Sequence, residues 1–197
     1  SFDNYIGYIK NAQYVEKFKP NYKVSNLKAK IFKKPNSISK NWLPLGSKLL
    51  VIDENKNYIK IEKNKWIKKK DIKKINHKER DFIKTFKKFL NVKYVWGGKT
   101  YKGIDCSALL QIFFNYNNLF YPRDTKDQIN YSKGSSMKRK FKKGDIIFWK
   151  GHVAMMIDNK NIIHANAYHM KTCIEPLNVA QKRISRTNGN IIKMGRI

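Results

Sequence analysis

Acidic residues are scarce in this chain: 14 Asp and Glu stand against 43 Lys and Arg in 197 residues, a formal net charge of +29. Such an excess draws polyanions and anionic surfaces. Arginine is scarce as well, confined to positions 80, 123, 139, 183, 186 and 196, so the excess is nearly all lysine. Dedicated phosphate readers favour the bidentate guanidinium fork. A lysine excess beside abundant Ile and Asn is instead the residue usage of AT-rich coding, and no specific nucleic-acid partner is expected. Cysteine is limited to Cys106 and Cys173, too few for a disulfide framework in a chain this long. Neither lies in a CxxC pair and the four histidines have no HExxH spacing, so no metal site and no cofactor is expected. No apolar run approaches the ~18 residues of a membrane helix, and no membrane span is expected. No basic, apolar and small-residue succession marks a signal peptide at the start, although the chain opens on Ser1 rather than Met and an upstream part is expected.

Apolar residues make up 41% of the chain and aromatics 13%, enough for a packed core. The length suits a small module plus a catalytic-sized domain. Residues 22–75 hold short apolar segments punctuated by turn residues: Tyr22–Val24, Ala29–Phe32, Trp42–Leu45, Leu49–Ile52, Tyr58–Ile61 and Trp66-Ile67. That spacing predicts a small all-β barrel. A helix is expected over 77–91, where Phe82, Ile83, Phe86, Phe89 and Leu90 recur at helical spacing. A second, buried helix is expected from Cys106 through Phe114. Asp124 or Thr125 is placed to cap a short helix through Gln128, and 138–143 reads as a basic loop. Beyond Gly144 the period changes. Asp145–Trp149, His152–Asp158, Asn161–Ala165, Thr172–Ile174 and 191–197 read as strands, with a short helix over 178–184. Helices followed by consecutive strands predict an α+β unit on an antiparallel sheet.

The most informative stretch is Tyr94–Gln111. Asp105 is a natural N-cap, which puts Cys106 in the first helical turn, where unpaired N–H groups and the helix dipole favour a thiolate. A cysteine peptidase needs a thiol, an imidazole to take its proton and a third polar group to orient the imidazole. Gly151-His152 opens one expected strand and His164 lies in the next. Pairing through the turn at 158–161 brings the two histidines to one end, and their even separation lets them face one side. Cys173 is expected in the core, Trp149 in the core or the cleft wall, and Trp96 and Gly97-Gly98 to shape the loop. His77 and His169 have no partner that the sequence names.

Taken together, Tyr94-x-Trp-Gly-Gly98, Gly103-x-Asp-Cys-Ser107, Gln111, Pro122-Arg123, Gln128, Gly144-Asp145-x-x-Phe148, Gly151-His-Val153 and His164-Ala165 resemble the NlpC/P60 family of papain-like cell-wall peptidases. The match runs in consistent order over roughly residues 80–197. The resemblance implies a papain-like fold with Cys106 as nucleophile, His152 as general base and acid, and His164 as the orienting residue. Tyr94 would shape the oxyanion site beside the thiol. Implied partners are peptidoglycan-derived peptides, cut between γ-D-glutamate and a diamino acid, meso-diaminopimelate or L-lysine. Relatives with bacterial SH3-like (SH3b) domains in front prefer a free N-terminal L-Ala. By that analogy Asp105, Ser107, Asp124 and Thr125 would line the pocket for the amino group and the glutamyl carboxyl. Ala108 stands where the family usually has glycine, and alanine suits a helix better.

The strand order of 22–75, closing on Lys65-Trp-Ile-Lys68, resembles an SH3b domain, and Phe2–Ile9 resembles the last strand of another. The expected organisation is therefore 1–21 as a remnant plus linker, 22–75 as SH3b and 76–197 as the peptidase, acting as a monomer. The cytoplasm is favoured over the periplasm or cell wall. Two other readings stand beside this one: an N-acylmuramoyl amidase or acyltransferase with the same chemistry, and a catalytically silent wall-binding module.

Overall fold

The computed structural model describes residues 18–134 and 140–196. The expected strand at Phe2–Ile9 and part of the basic loop at 138–143 lie outside the described residues.

The first unit is all-β. Its strands are β1 (Tyr22–Val24), β2 (Lys28–Ile31), β3 (Asn41–Pro44), β4 (Lys48–Leu49), β5 (Asp53–Glu54), β6 (Tyr58–Glu62), β7 (Lys65–Lys68) and β8 (Ile72–Lys74). They form antiparallel ladders in the orders β4-β1-β8, β2-β3 and β5-β6-β7. A bridge between Phe32 and Trp66 joins the second ladder to the third. Local chemistry sets the turns: Asn55 Oδ1 accepts the N–H groups of Asn57 (3.0 Å) and Tyr58 (2.9 Å), and Asn64 turns β6 into β7 in the left-handed region (φ 58°). Val24, Ala29, Leu49, Ile59, Ile67 and Ile72 fill the centre. The expected barrel is not closed among the described residues. Strands as short as β4 and β5, two residues each, run out of ladder hydrogen bonds before they can link neighbouring ladders.

The second unit begins with α1 (Phe82–Lys87), far shorter than the expected 77–91. Asp81 caps it, accepting from Ile83 N (3.0 Å) and Lys84 N (3.3 Å). Its end dissolves into turns through Asn91 (φ 64°), yet Phe86 and Phe89 remain buried. The short hairpin β9 (Lys99–Thr100) and β10 (Gly103–Ile104) leads into α2 (Cys106–Tyr116), and α3 (Thr125–Tyr131) follows. Next come β11 (Asp145–Trp149), β12 (His152–Met156), β13 (Asn161–Asn166), β14 (Lys171–Pro176), α4 (Leu177–Asn188) and β15 (Lys193–Arg196). These five strands form one antiparallel sheet in the order β14-β13-β12-β11-β15.

Alternation along the strands builds two cores. Ile146, Phe148, Val153, Met155, Ile163 and Ala165 face α1 and α2. Ile147, Trp149, Ala154, Met156, Ile162 and Met194 face α4, which presents Leu177, Ala180 and Ile184. A buried lysine stitches the two units together. Lys23, 1% exposed, donates Nζ to the carbonyls of His77 (2.7 Å) and Tyr116 (2.5 Å) and lies over the Tyr116 ring. Burial, then the nearby Lys78, lowers its pKa to about 8.

Candidate active site

Cys106 opens α2 as expected, and it is buried, 5% exposed. The loop before it is shaped by close backbone approach. A Cβ on Gly98 would lie 2.6 Å from Gly103 O, and Gly97 turns at φ +77°. Asp105 does more than cap the helix. One carboxylate oxygen accepts from Ala108 N (2.8 Å), Ser107 Oγ (3.2 Å) and Arg123 Nη1 (3.0 Å). The other accepts from Gly97 N (2.9 Å) and Arg123 Nη2 (2.5 Å). Arg123 Nη1 also donates to Ser107 Oγ (2.8 Å). Asp105 and Ser107 are thus engaged in a buried network inside the protein. Thr125, the first residue of α3, places Oγ1 4.0 Å from the Cys106 sulfur. Asp124 is exposed, and its side chain makes no cap bond. Tyr94 is half-buried, and burial, then its nearness to Cys106 and the Asp105 carboxylate, pushes its hydroxyl up to about 12.

The electrostatics of the thiol differ from the helix-start expectation. Burial, then the Asp105 carboxylate, pushes the Cys106 thiol up. Hydrogen bonds from Val153 N–H, Thr125 and Ser107 N–H pull the other way but do not outweigh them. The resting group is a neutral thiol, because desolvation of a deeply buried sulfur exceeds what one helix terminus returns.

The histidines come from the other face of the sheet. The β12–β13 register, Met155 opposite Ile163, sets His152 diagonally across from His164 on the α4 side. His152 Nε2 and His164 Nδ1 are 2.8 Å apart. Burial, then His164, lowers the His152 pKa to about 3, and burial lowers that of His164 too. The thiol and the imidazoles therefore belong to opposite layers, and they approach one another at the Gly151–His152–Val153 corner. There the Val153 N–H meets the Cys106 sulfur, while the sulfur and the His152 ring are not hydrogen-bonded to each other. Gly151 makes this corner with φ +75°. A cleft of about 450 Å³ lies alongside, with Tyr94, Trp96, His152, Asn166, Tyr168 and Arg183 among its walls.

Three partners had no role in the sequence reading. Glu175 Oε1 lies 2.7 Å from His164 Nε2, and Arg183 grips both Glu175 oxygens at 2.5 and 2.9 Å. Asn166 Nδ2 reaches the Cys173 sulfur at 3.3 Å and lies 3.0 Å from His164 Nε2. The strand expected to stop at Ile174 continues to Pro176, which carries Glu175 onto the histidine face. Glu175 lies two residues beyond Cys173, and so on the same face of the strand. Cys173 itself is half-buried beside this network rather than in the core. His169 gains a partner: its N–H donates to Asn166 Oδ1 (2.8 Å), and its Nε2 is 3.5 Å from Glu175 Oε1. Trp149 is fully buried and donates Nε1–H to Gln181 (2.8 Å). His164, Cys173 and Glu175 bring donor atoms within 4.8 Å of one another, a set that could hold a metal ion. Arg183 and His164 already occupy the carboxylate there.

Residues 91–187 match the profile of the NlpC/P60 family. A gamma-D-glutamyl-L-lysine dipeptidyl-peptidase of Bacillus cereus is 35% identical over 106 residues, covering 50% of this chain and 32% of its own length. The protein of the same name in Bacillus subtilis is 33% identical over 93 residues, 43% of this chain and 31% of its own. The chain thus spans about a third of the length of these curated relatives. The crystal structure of an NlpC/P60 family protein from Bacillus cereus superimposes with a TM-score of 0.74 at 24% identity, covering 90% of this chain and 63% of that one. That likeness extends over both units and concerns the fold. The chain carries an NlpC/P60 family domain.

Proposed function

Starting from the NlpC/P60 domain, we propose that the chain is a cysteine peptidase that hydrolyses the bond between γ-D-glutamate and L-lysine or meso-diaminopimelate in peptidoglycan stem peptides. The observation that carries this reading is the corner at Gly151–Val153. It sets the Cys106 sulfur against the Val153 N–H, one residue from an imidazole already paired with a second. The names of the Bacillus relatives support the choice of bond. The 22–75 unit is read as an SH3b module in front of a peptidase over 76–197, working in the cytoplasm on released peptides.

Catalysis starts from the neutral pair. As the substrate carbonyl arrives, the thiol proton passes to His152 while sulfur attacks the carbonyl carbon. Contacts between catalytic groups are commonly longer in the free enzyme than in the substrate complex. The Cys106 N–H at the helix start and the Tyr94 hydroxyl, which stays protonated, hold the oxyanion. Imidazolium His152 protonates the departing amine, the diamino acid leaves, and His152 then activates water to release the dipeptide from sulfur. Asp124, exposed beside Thr125, is the carboxylate that meets the substrate ammonium. Asp105, tied to Arg123, holds the helix start in place.

A pair of substrates tests the specificity. L-Ala-γ-D-Glu-L-Lys is expected to be cleaved efficiently, and its N-acetyl derivative at least about tenfold more slowly, since a charged contact is lost. Equal rates on both would remove the free-amine preference from the proposal.

A further inference from the structure

His152 can serve as base only if one ring nitrogen is bare and aimed to take the thiol proton. In a neutral imidazole one nitrogen carries hydrogen and the other accepts, and the partner of each decides which. Two neutral histidines bonded in series share this decision, so whatever fixes the outer ring fixes the inner one. The outer partner is Glu175.

We infer that Glu175, clamped by Arg183, is a positioning residue that sets the tautomers of His164 and His152 and leaves His152 Nδ1 as the proton acceptor. This inference rests on the peptidase reading above. Arg183 donates to both Glu175 oxygens, at 2.5 and 2.9 Å. An ionised carboxylate has no proton to give, so at 2.7 Å the hydrogen between Oε1 and His164 Nε2 belongs to the ring. The Asn166 amide does not compete. Its oxygen is held by the His169 N–H at 2.8 Å, and its Nδ2 has the Cys173 sulfur to donate to at 3.3 Å. Were Asn166 to donate to His164 Nε2 instead, a bare ring nitrogen would face a carboxylate oxygen, lone pair against lone pair. With hydrogen on Nε2, His164 Nδ1 is an acceptor. It takes the Nε2–H of His152 across 2.8 Å. His152 Nδ1 is then without hydrogen.

The same line serves the charged step. When His152 takes the thiol proton, its Nε2–H points through His164 at a carboxylate. Glu175 is 9% exposed and is held well below the usual carboxylate range by its bonds to His164 and Arg183. No proton needs to travel along the line; its dipoles already point the right way.

The substitution Glu175→Gln reverses the order. Arg183 needs the carbonyl oxygen, which turns the amide NH2 toward His164. His164 Nε2 must then accept, Nδ1 carries hydrogen, and His152 is left with Nε2 bare and Nδ1–H. The experiment is 15N NMR of the imidazoles in the full chain, combined with tripeptide kinetics. In the unsubstituted chain both rings are expected to be protonated on Nε2 and bare on Nδ1. In Glu175→Gln both are expected to invert, with kcat falling on the order of 10²-fold and KM nearly unchanged. Glu175→Asp is expected to keep the original tautomers and recover part of the rate. Finding His164 Nε2 without hydrogen in the unsubstituted chain would overturn the inference, whether or not any variant folds. So would full activity in Glu175→Gln, or lost activity with tautomers unchanged. If the tautomers come out as expected and the unsubstituted chain leaves the tripeptide intact, the choice of substrate fails and the positioning role of Glu175 stands.

Discussion

At the scale of single residues, the resting charge state of the site is the most consequential feature. Papain-type chemistry invites the picture of a preformed thiolate–imidazolium pair. Here burial pushes the Cys106 thiol up and His152 down, so both are neutral at physiological pH. Alkylation by iodoacetamide is therefore expected to accelerate with pH through and beyond the ordinary thiol range near ~8.5. A rate that stays flat from about pH 5 to 8 would mean that the ion pair already exists. Asp124 carries a second prediction. Asp124→Asn is expected to raise KM for peptides with a free N-terminus roughly tenfold, leave kcat nearly unchanged and have little effect on N-acetylated peptides. The place of Cys106 at the start of α2 was legible from the Asp105 cap beside it, and the meeting of His152 with His164 from their spacing across one hairpin. Glu175, Arg183 and the Asp105–Arg123 pair were not, because long-range pairing creates them. Glu175 reaches His164 only through the β13–β14 register, and Arg183 reaches Glu175 only because α4 folds back over that strand.

At the scale of elements, the site depends on how β11 turns into β12. Trp149 pairs with His152, leaving Lys150 and Gly151 as the turn. Gly151 sits at φ +75°, with Asn188 Nδ2 3.9 Å from where a Cβ would lie. Gly151→Ala is thus expected to cost about 1 kcal/mol from backbone strain and to reduce kcat more than KM, since it shifts His152 and Val153 together. Urea denaturation with parallel kinetics checks this, and unchanged stability and rate would show that the turn tolerates the side chain. The central strands β11, β12 and β13 were legible as short apolar runs bounded by turn residues, since they are buried on both faces. The expected long helix at 77–91 was not. Its apolar residues do face the core, but turns deliver Phe89 there as well as a helix would, and hydrophobic spacing cannot tell the two apart. The closed barrel failed for a related reason: apolar pairs mark strands but not how far their ladders extend.

At the scale of the whole molecule, the two units are joined by charge buried in an unusual place. Lys23 satisfies the His77 and Tyr116 carbonyls, and Lys88 donates to the Ser25 carbonyl at 2.5 Å in the opposite direction. Lys23→Ala strands two carbonyl oxygens and opens a void at the C-terminal end of α2. It is expected to destabilise the fold by about 2–4 kcal/mol, read as a lower denaturation midpoint. A midpoint within error of the unsubstituted chain would contradict the stitch. Acid should weaken the fold as well. His152 titrates at about 3 when folded against 6.5 as its ordinary value, so between these limits the unfolded chain binds the extra proton. Stability is therefore expected to fall as pH drops from about 6.5 toward 3, and His152→Gln should flatten that slope.

The central claim is that Cys106 opens the bond after γ-D-glutamate. The most direct measurement is mass-spectrometric analysis of L-Ala-γ-D-Glu-L-Lys and its meso-diaminopimelate counterpart after incubation with the unsubstituted chain and with Cys106→Ala. The expected result is L-Ala-γ-D-Glu plus the free diamino acid from the former and intact tripeptide from the latter. Cleavage surviving in Cys106→Ala, release of alanine instead of the diamino acid, or an intact tripeptide in the presence of a titratable Cys106 thiol would each contradict it.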